Sequence, residues 1–95
     1  MAEPKRLPAG QHTVVVGGTL RMKEFRQMVA AEKSGDLEQL YPWLVRLVRE
    51  WTVTDEAGEP LPVTVESMDE LTLAEFKAIS GAVGDYIKGE LEGKN

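Results

Sequence analysis

The sequence predicts a mainly α fold: a small helical domain with a short N-terminal strand and a short β-hairpin-like arm. Three observations predict it. Apolar side chains recur at helical spacing in three stretches, Met22/Phe25/Met28/Val29, Leu40/Leu44/Leu47/Trp51 and Phe76/Ile79/Val83/Ile87. The run Thr13-Val14-Val15-Val16 is β-branched throughout and reads as a short strand. The stretch from Trp51 to Thr64 is marked by Asp55, Gly58, Pro60 and Pro62, which reads as extended chain, turn, extended chain.

Taken in order, residues 1–12 carry two prolines and a glycine and are expected to be a flexible lead-in. The Thr13–Val16 strand ends at Gly17-Gly18, and Thr19 is placed to cap a helix running to about Lys33. Ser34-Gly35-Asp36 stops that helix and starts the next element. Leu37 to Trp51 is expected to be helical, broken, kinked or begun at Pro42, which lacks the N–H an interior position needs. On a helical wheel Leu40, Leu44, Leu47 and Trp51 form a narrow stripe, widened by Tyr41, Val48 and Val45 on one side and Trp43 on the other. That arc spans roughly 200°, against ~100° for one core contact.

After the Asp55–Gly58 turn, the prolines confine the second arm to a sheet edge or to polyproline-like chain. Val65 to Leu71 reads as one short helical turn, and Thr72 with Glu75 matches a capping box opening the last helix. That helix is expected to end near Lys88, with Gly81, Gly84 and Gly89 each weakening it by ~1 kcal/mol relative to Ala. The chain thus divides into a lead-in (1–12), a single helical domain (13–88) and a frayed tail (89–95). The core is assigned to Phe25, Val29, Leu40, Leu44, Leu47, Trp51, Phe76, Ile79 and Val83.

Ninety-five residues make one domain with one modest core. The formal charge is −5. Residues 1–54 hold eight Lys/Arg and six Asp/Glu, and residues 55–95 hold three Lys and ten Asp/Glu, so the halves carry +2 and −7. An acidic C-terminal half and scattered cations argue against nucleic acid and against a membrane surface. The first twelve residues contain no apolar core of a secretory signal, and no cysteine is present, so the expected compartment is a reducing cytoplasm.

Catalysis, metals and cofactors are not expected. The single histidine, His12, lies beside the lead-in and is read as solvated, which leaves Ser34, Ser67 and Ser80 without a base. Asp55, Glu56 and Glu59 do not fit an EF-hand, and Gly17-Gly18 lacks the residues of a phosphate loop. The function expected from these residues is binding to other proteins. Trp43 and Val45 sit about 160° apart on a helix, so one face cannot bury both. Tyr41, Trp43, Val45 and Leu61 are therefore the candidate partner-binding residues, and self-association is a further expectation.

One order of signals carries a family resemblance. Leu40-Tyr41-Pro42 opens an apolar helix ending at Trp51; Asp55-Glu56-x-Gly58-x-Pro60-Leu61-Pro62 follows, then a short segment to Leu71 and a helix bearing Phe76 and Ile79. Over roughly residues 13–88 the chain resembles the tail assembly chaperones of long-tailed, siphovirus-type bacteriophages. The resemblance implies a protein that holds the tape-measure protein, helps recruit tail-tube subunits around it, and leaves before the tail is complete. It implies the host cell cytoplasm as the place of action, absence from the mature virion, and no catalytic residues. The alternatives are a tail-completion or connector subunit retained in the particle, and an unrelated small adaptor.

Overall fold

The computed structural model describes residues 3–91; the first two residues of the expected lead-in and residues 92–95 of the expected frayed tail lie outside the described residues. The element order is β1 Lys5–Ala9, β2 His12–Val16, α1 Met22–Ser34, a 3₁₀ turn Leu37–Leu40, α2 Tyr41–Leu47, β3 Val48–Trp51, α3 Val65–Met68 and α4 Leu73–Leu91. The fold is α+β and not mainly α, because β1, β2 and β3 form one antiparallel sheet in that order.

Two strands lie where the sequence predicted none. β1 occupies residues expected to be a lead-in because of Pro4, Pro8 and Gly10, and of these only Pro8 falls inside the strand. Pro8 stands opposite Thr13, whose N–H donates to Thr52 Oγ1 (3.0 Å) and whose carbonyl accepts from Thr52 N–H (3.1 Å). Thr13 thus turns its backbone toward β3, so the ring nitrogen of Pro8 faces away from β2 and no ladder bond is lost. The register Ala9↔His12 leaves a two-residue turn, Gly10-Gln11, with Gly10 at φ +65° and no positive φ at Gln11. That is the pattern of a type II′ hairpin, which favours glycine first. Gly10 is also a close approach, since a Cβ there would stand 3.3 Å from Ala78 Cβ on α4.

β3 occupies the end of the expected Leu37–Trp51 helix. Pro42 sits in the first turn of α2, as its missing N–H favours. The helix then stops after Leu47, whose carbonyl accepts from Gly17 N–H (2.9 Å), and Val48 turns extended (φ −82°, ψ 117°). Val48 pairs with Val16, Glu50 with Val15 and Trp51 with Val14, with a bulge between Val15 and Val16. A hairpin of two strands is marginal alone, and this third strand lets the sheet bury one face. Val48 and Trp51 thus leave the expected helix for the sheet, while Trp43 and Val45, which bound the wide apolar arc, both lie in α2.

Smaller boundaries also shift. α1 begins after Arg21 and not at Thr19, with the Glu24 carboxylate accepting Arg21 N–H (2.8 Å). Gly35 ends it in the left-handed region (φ +80°), and Asp36 Oδ1 accepts Glu38 N–H at the next start. The Thr72–Glu75 capping box is present in both directions: Thr72 N–H donates to Glu75 Oε1 (2.9 Å) and Glu75 N–H to Thr72 Oγ1 (3.1 Å). After β3 the arm folds back, with Thr54 bridged to Pro60 and Leu61 N–H donating to the Val53 carbonyl (3.0 Å).

α4 and α2 cover one face of the sheet. Val14 and Val16 from β2, Leu44 and Leu47 from α2, and Ile79, Val83 and Ile87 from α4 are buried there with Val53 and Met68. Of the expected core, Leu44, Leu47, Ile79 and Val83 are in this cluster, while Phe25, Trp51 and Phe76 are half-buried against it. Val29 and Leu40 are half-buried and outside it. The other sheet face shows Arg6, Val15 and Glu50 in one cross-strand row, two exposed charges flanking a half-buried valine. None of the described helices is long and apolar enough to cross a membrane.

Candidate functional site

Of the four expected partner-binding residues, Tyr41, Val45 and Leu61 are half-buried against the core and Trp43 is half-buried outside it. The Tyr41 hydroxyl donates to Asp69 Oδ1 (3.2 Å), and its ring meets Phe76 edge-on with centroids 5.9 Å apart. Burial, and next the Asp69 carboxylate, raise its pKa above the ordinary tyrosine value. Val45 and Leu61 are half-buried against the core. Trp43 is the exception: half-buried and outside the core cluster, it has the Arg46 guanidinium 6.0 Å from its ring centre. Arg46 in turn pairs with Glu24, so Trp43 lies beside the link between α2 and α1. The arm after β3 is held by the other tryptophan, since Trp51 Nε1–H donates to the Leu61 carbonyl (2.7 Å).

A different apolar surface is formed by segments far apart in sequence. A groove of about 230 Å³ opens between the start of α1 and the end of α4, lined by Leu20, Met22, Phe25, Leu47, Ile87 and Leu91 among others. Met22 is 61% exposed and Leu91 57%, so two of the largest exposed apolar side chains of the described residues border the same depression. At its floor the Tyr86 hydroxyl donates to the Gly18 carbonyl (3.2 Å), and Gly18 holds φ +112°, which favours glycine. Burial raises the Tyr86 pKa, Glu90 raises it further, and Arg49 opposes both. Small-molecule sites span ~300–1,000 Å³ and enclose their ligand, so this smaller, open groove suits side chains offered by another protein.

Sequence reasoning placed Phe25 and Leu47 in the core but did not join them to Met22 and Leu91. The missing signal is tertiary, because the groove exists only once α4 lies across the β1–β2 hairpin. A trace was available: Met22 heads the α1 stripe, yet no partner for it is apparent nearby in sequence.

His12 is the other correction. It is a strand residue, its Nε2 2.7 Å from Glu75 Oε2 and its Nδ1 3.4 Å from Thr52 Oγ1. Glu75 already accepts Thr72 N–H; that backbone bond is the largest influence on its carboxyl, burial opposes it, and His12 then adds to the lowering, so the carboxyl is held below the ordinary value. Thr52 Oγ1 accepts Thr13 N–H (3.0 Å) and lies 3.4 Å from His12 Nδ1, so it links the ring to the backbone of β2. The cluster joins β2, the chain after β3 and the start of α4. Among the described residues no group of three or more His, Cys, Asp or Glu side chains could hold a metal ion. Comparison of the chain with protein-family models, with curated proteins and with solved structures gives no match in any of the three.

Proposed function

We propose that this chain is a non-catalytic binding protein, and specifically an assembly chaperone that holds the tape-measure protein of a long-tailed phage and helps recruit tail-tube subunits. The observation that carries the binding role is the groove between α1 and α4, where Met22 and Leu91 leave apolar surface open beside Phe25 and Ile87. Leaving two such side chains more than half in water contributes little to the fold, and a docking partner would bury them. A tape-measure protein is a long helical chain needing cover for its apolar stripe until tube subunits surround it, and such a groove suits that task. The client itself is inferred from the residue order Leu40–Pro42, Trp51, Asp55–Pro62 and Phe76–Ile79.

The test is co-expression with fragments of a tape-measure protein encoded beside this chain, followed by co-purification. A fragment should be retained by the natural chain and lost from Met22→Asp and Leu91→Asp, both of which should stay folded because these side chains are largely exposed. Retention by both variants would remove the groove from the reading. Recovery of the chain from purified virions would instead favour a structural tail subunit.

A further inference from the structure

The first turn of α4 carries an apolar side chain that the fold does not use. Its cap is made by Thr72 and Glu75. The two positions that a hydrophobic staple would join, Leu71 and Phe76, hold side chains that both pack against the core. Leu73 does neither: it is 84% exposed, the most exposed of the large apolar side chains among the described residues. A first-turn position favours a carboxylate, so nothing in the helix selects leucine there. Nor does Leu73 stand alone. Phe76, three residues on, is its neighbour on the surface of α4, and the Phe76 ring meets Tyr41 edge-on. Leu73 and the uncovered parts of two half-buried aromatic rings thus make one apolar strip.

The charge bordering this strip has one sign. The Tyr41 hydroxyl donates to Asp69 Oδ1, and after burial every influence on that hydroxyl is a carboxylate, Asp69 first and then Glu38 and Asp36. All three acids are exposed. None of them is in an ion pair, since those among the described residues join His12 to Glu75 and Arg46 to Glu24. On α4, Lys77 lies about 40° around the helix from Leu73, on the side away from Phe76. Carboxylates without partners beside open apolar surface repel an acidic partner and are complemented by cations.

We propose that this end of α4 docks a segment of another protein whose apolar side chains are flanked by Lys or Arg. The apolar side chains would cover Leu73, Phe76 and Tyr41, and the cations would meet Asp69, Glu38 and Asp36. Leu73 stands about 27 Å along α4 from Leu91, so this surface is separate from the α1–α4 groove and does not rest on it.

Two short synthetic peptides test this. They share a pair of leucines and differ only in flanks of Lys or of Glu. Titrated into the full chain at low salt and followed by backbone amide shifts, the Lys-flanked peptide should bind about tenfold tighter, the sum of two or three exposed charge pairs. That advantage should shrink near 1 M salt, where the Debye length falls to about 3 Å. Shifts should gather at Tyr41 and at residues 69–77. The double variant Glu38→Lys/Asp69→Asn should remove the preference, with asparagine still able to accept from Tyr41. Leu73→Ser, which removes a side chain that the fold leaves in water, should weaken both peptides, and Met22→Asp should weaken neither. Equal binding of the two peptides would overturn the basic flank, and binding of neither to the folded chain would overturn the docking surface. Shifts gathered instead at Phe25, Ile87 and Leu91 would move the contact to the groove and overturn the proposal while leaving the groove reading standing. Self-association lost in Leu73→Ser, with no peptide bound, would assign the strip to a second copy and overturn it as well.

Discussion

His12 Nε2 lies 2.7 Å from Glu75 Oε2, so the second strand is fastened to the first turn of the last helix by side chains 63 residues apart. The same carboxylate accepts Thr72 N–H, which makes one residue both a helix cap and a tertiary tie. The tie explains how α4 is set across the hairpin and so, at its far end, how Leu91 comes to face Met22.

Acid should loosen this tie. The Glu75 carboxyl is held below its ordinary value, so its contribution is complete above the unfolded pKa of about 4.5 and is lost as pH falls through the lower folded value. Glu75→Gln keeps an acceptor for the cap but has no charge to lose. Urea midpoints measured from pH 7 to pH 3 should fall more steeply for the natural chain than for Glu75→Gln. Parallel curves would show that the carboxylate contributes nothing beyond its capping bond.

The arm after β3 rests on one indole bond. Trp51→Phe keeps an aromatic ring opposite Val14 but removes the donor to the Leu61 carbonyl. The loss should be about 1–3 kcal/mol, combining an unpaired carbonyl with a smaller ring. Amide exchange should then quicken at Leu61, whose N–H donates to Val53. Unchanged exchange at Leu61 would mean that the prolines alone hold the arm.

Trp51, expected in the core, is half-buried against it and holds the arm through its indole N–H, while Trp43 lies outside the core. At residues 37–51 helical spacing and strand pairing were both available, and only the β1–β2 hairpin decides between them. Burial supports this: Leu44 and Leu47 keep their expected places, while Val48 becomes the first buried residue of a strand. The capping box, the Gly35 stop, the Asp55–Gly58 turn and the last helix were legible because each is written in a few adjacent residues. β1 was not, because whether Pro8 disrupts a strand depends on which way it faces, and that is fixed by Thr52 at a distance. The groove and the His12–Glu75 tie were hidden for the same reason.

Trp43→Ala should separate exposure from burial on α2. Trp43 is half-buried with Arg46 near its ring, whereas Leu47 is 1% exposed in the core. Leu47→Ala should cost about 2–5 kcal/mol. Trp43→Ala should cost about 1 kcal/mol, the loss of partial packing and of one exposed cation–π contact. Thermal unfolding of the two variants side by side checks the ranking, and similar losses would place Trp43 in the core.

The glycines of the chain should answer an alanine scan with opposite signs. Gly10→Ala meets two penalties at once, a left-handed φ of +65° and an Ala78 Cβ only 3.3 Å away. It should destabilise by more than about 1 kcal/mol and disturb the hairpin that supports the sheet. Gly81 and Gly84 lie in the α4 interior, are exposed, and have nothing within 4 Å of an added Cβ. Alanine at either should stabilise by up to ~1 kcal/mol, because a helical alanine loses less backbone freedom on folding than glycine. If both helix variants are more stable and still retain a tape-measure fragment, those glycines take no part in docking. Greater stability with lost retention would instead mark that face of α4 as a second contact, since a methyl group there disturbs nothing inside the chain itself.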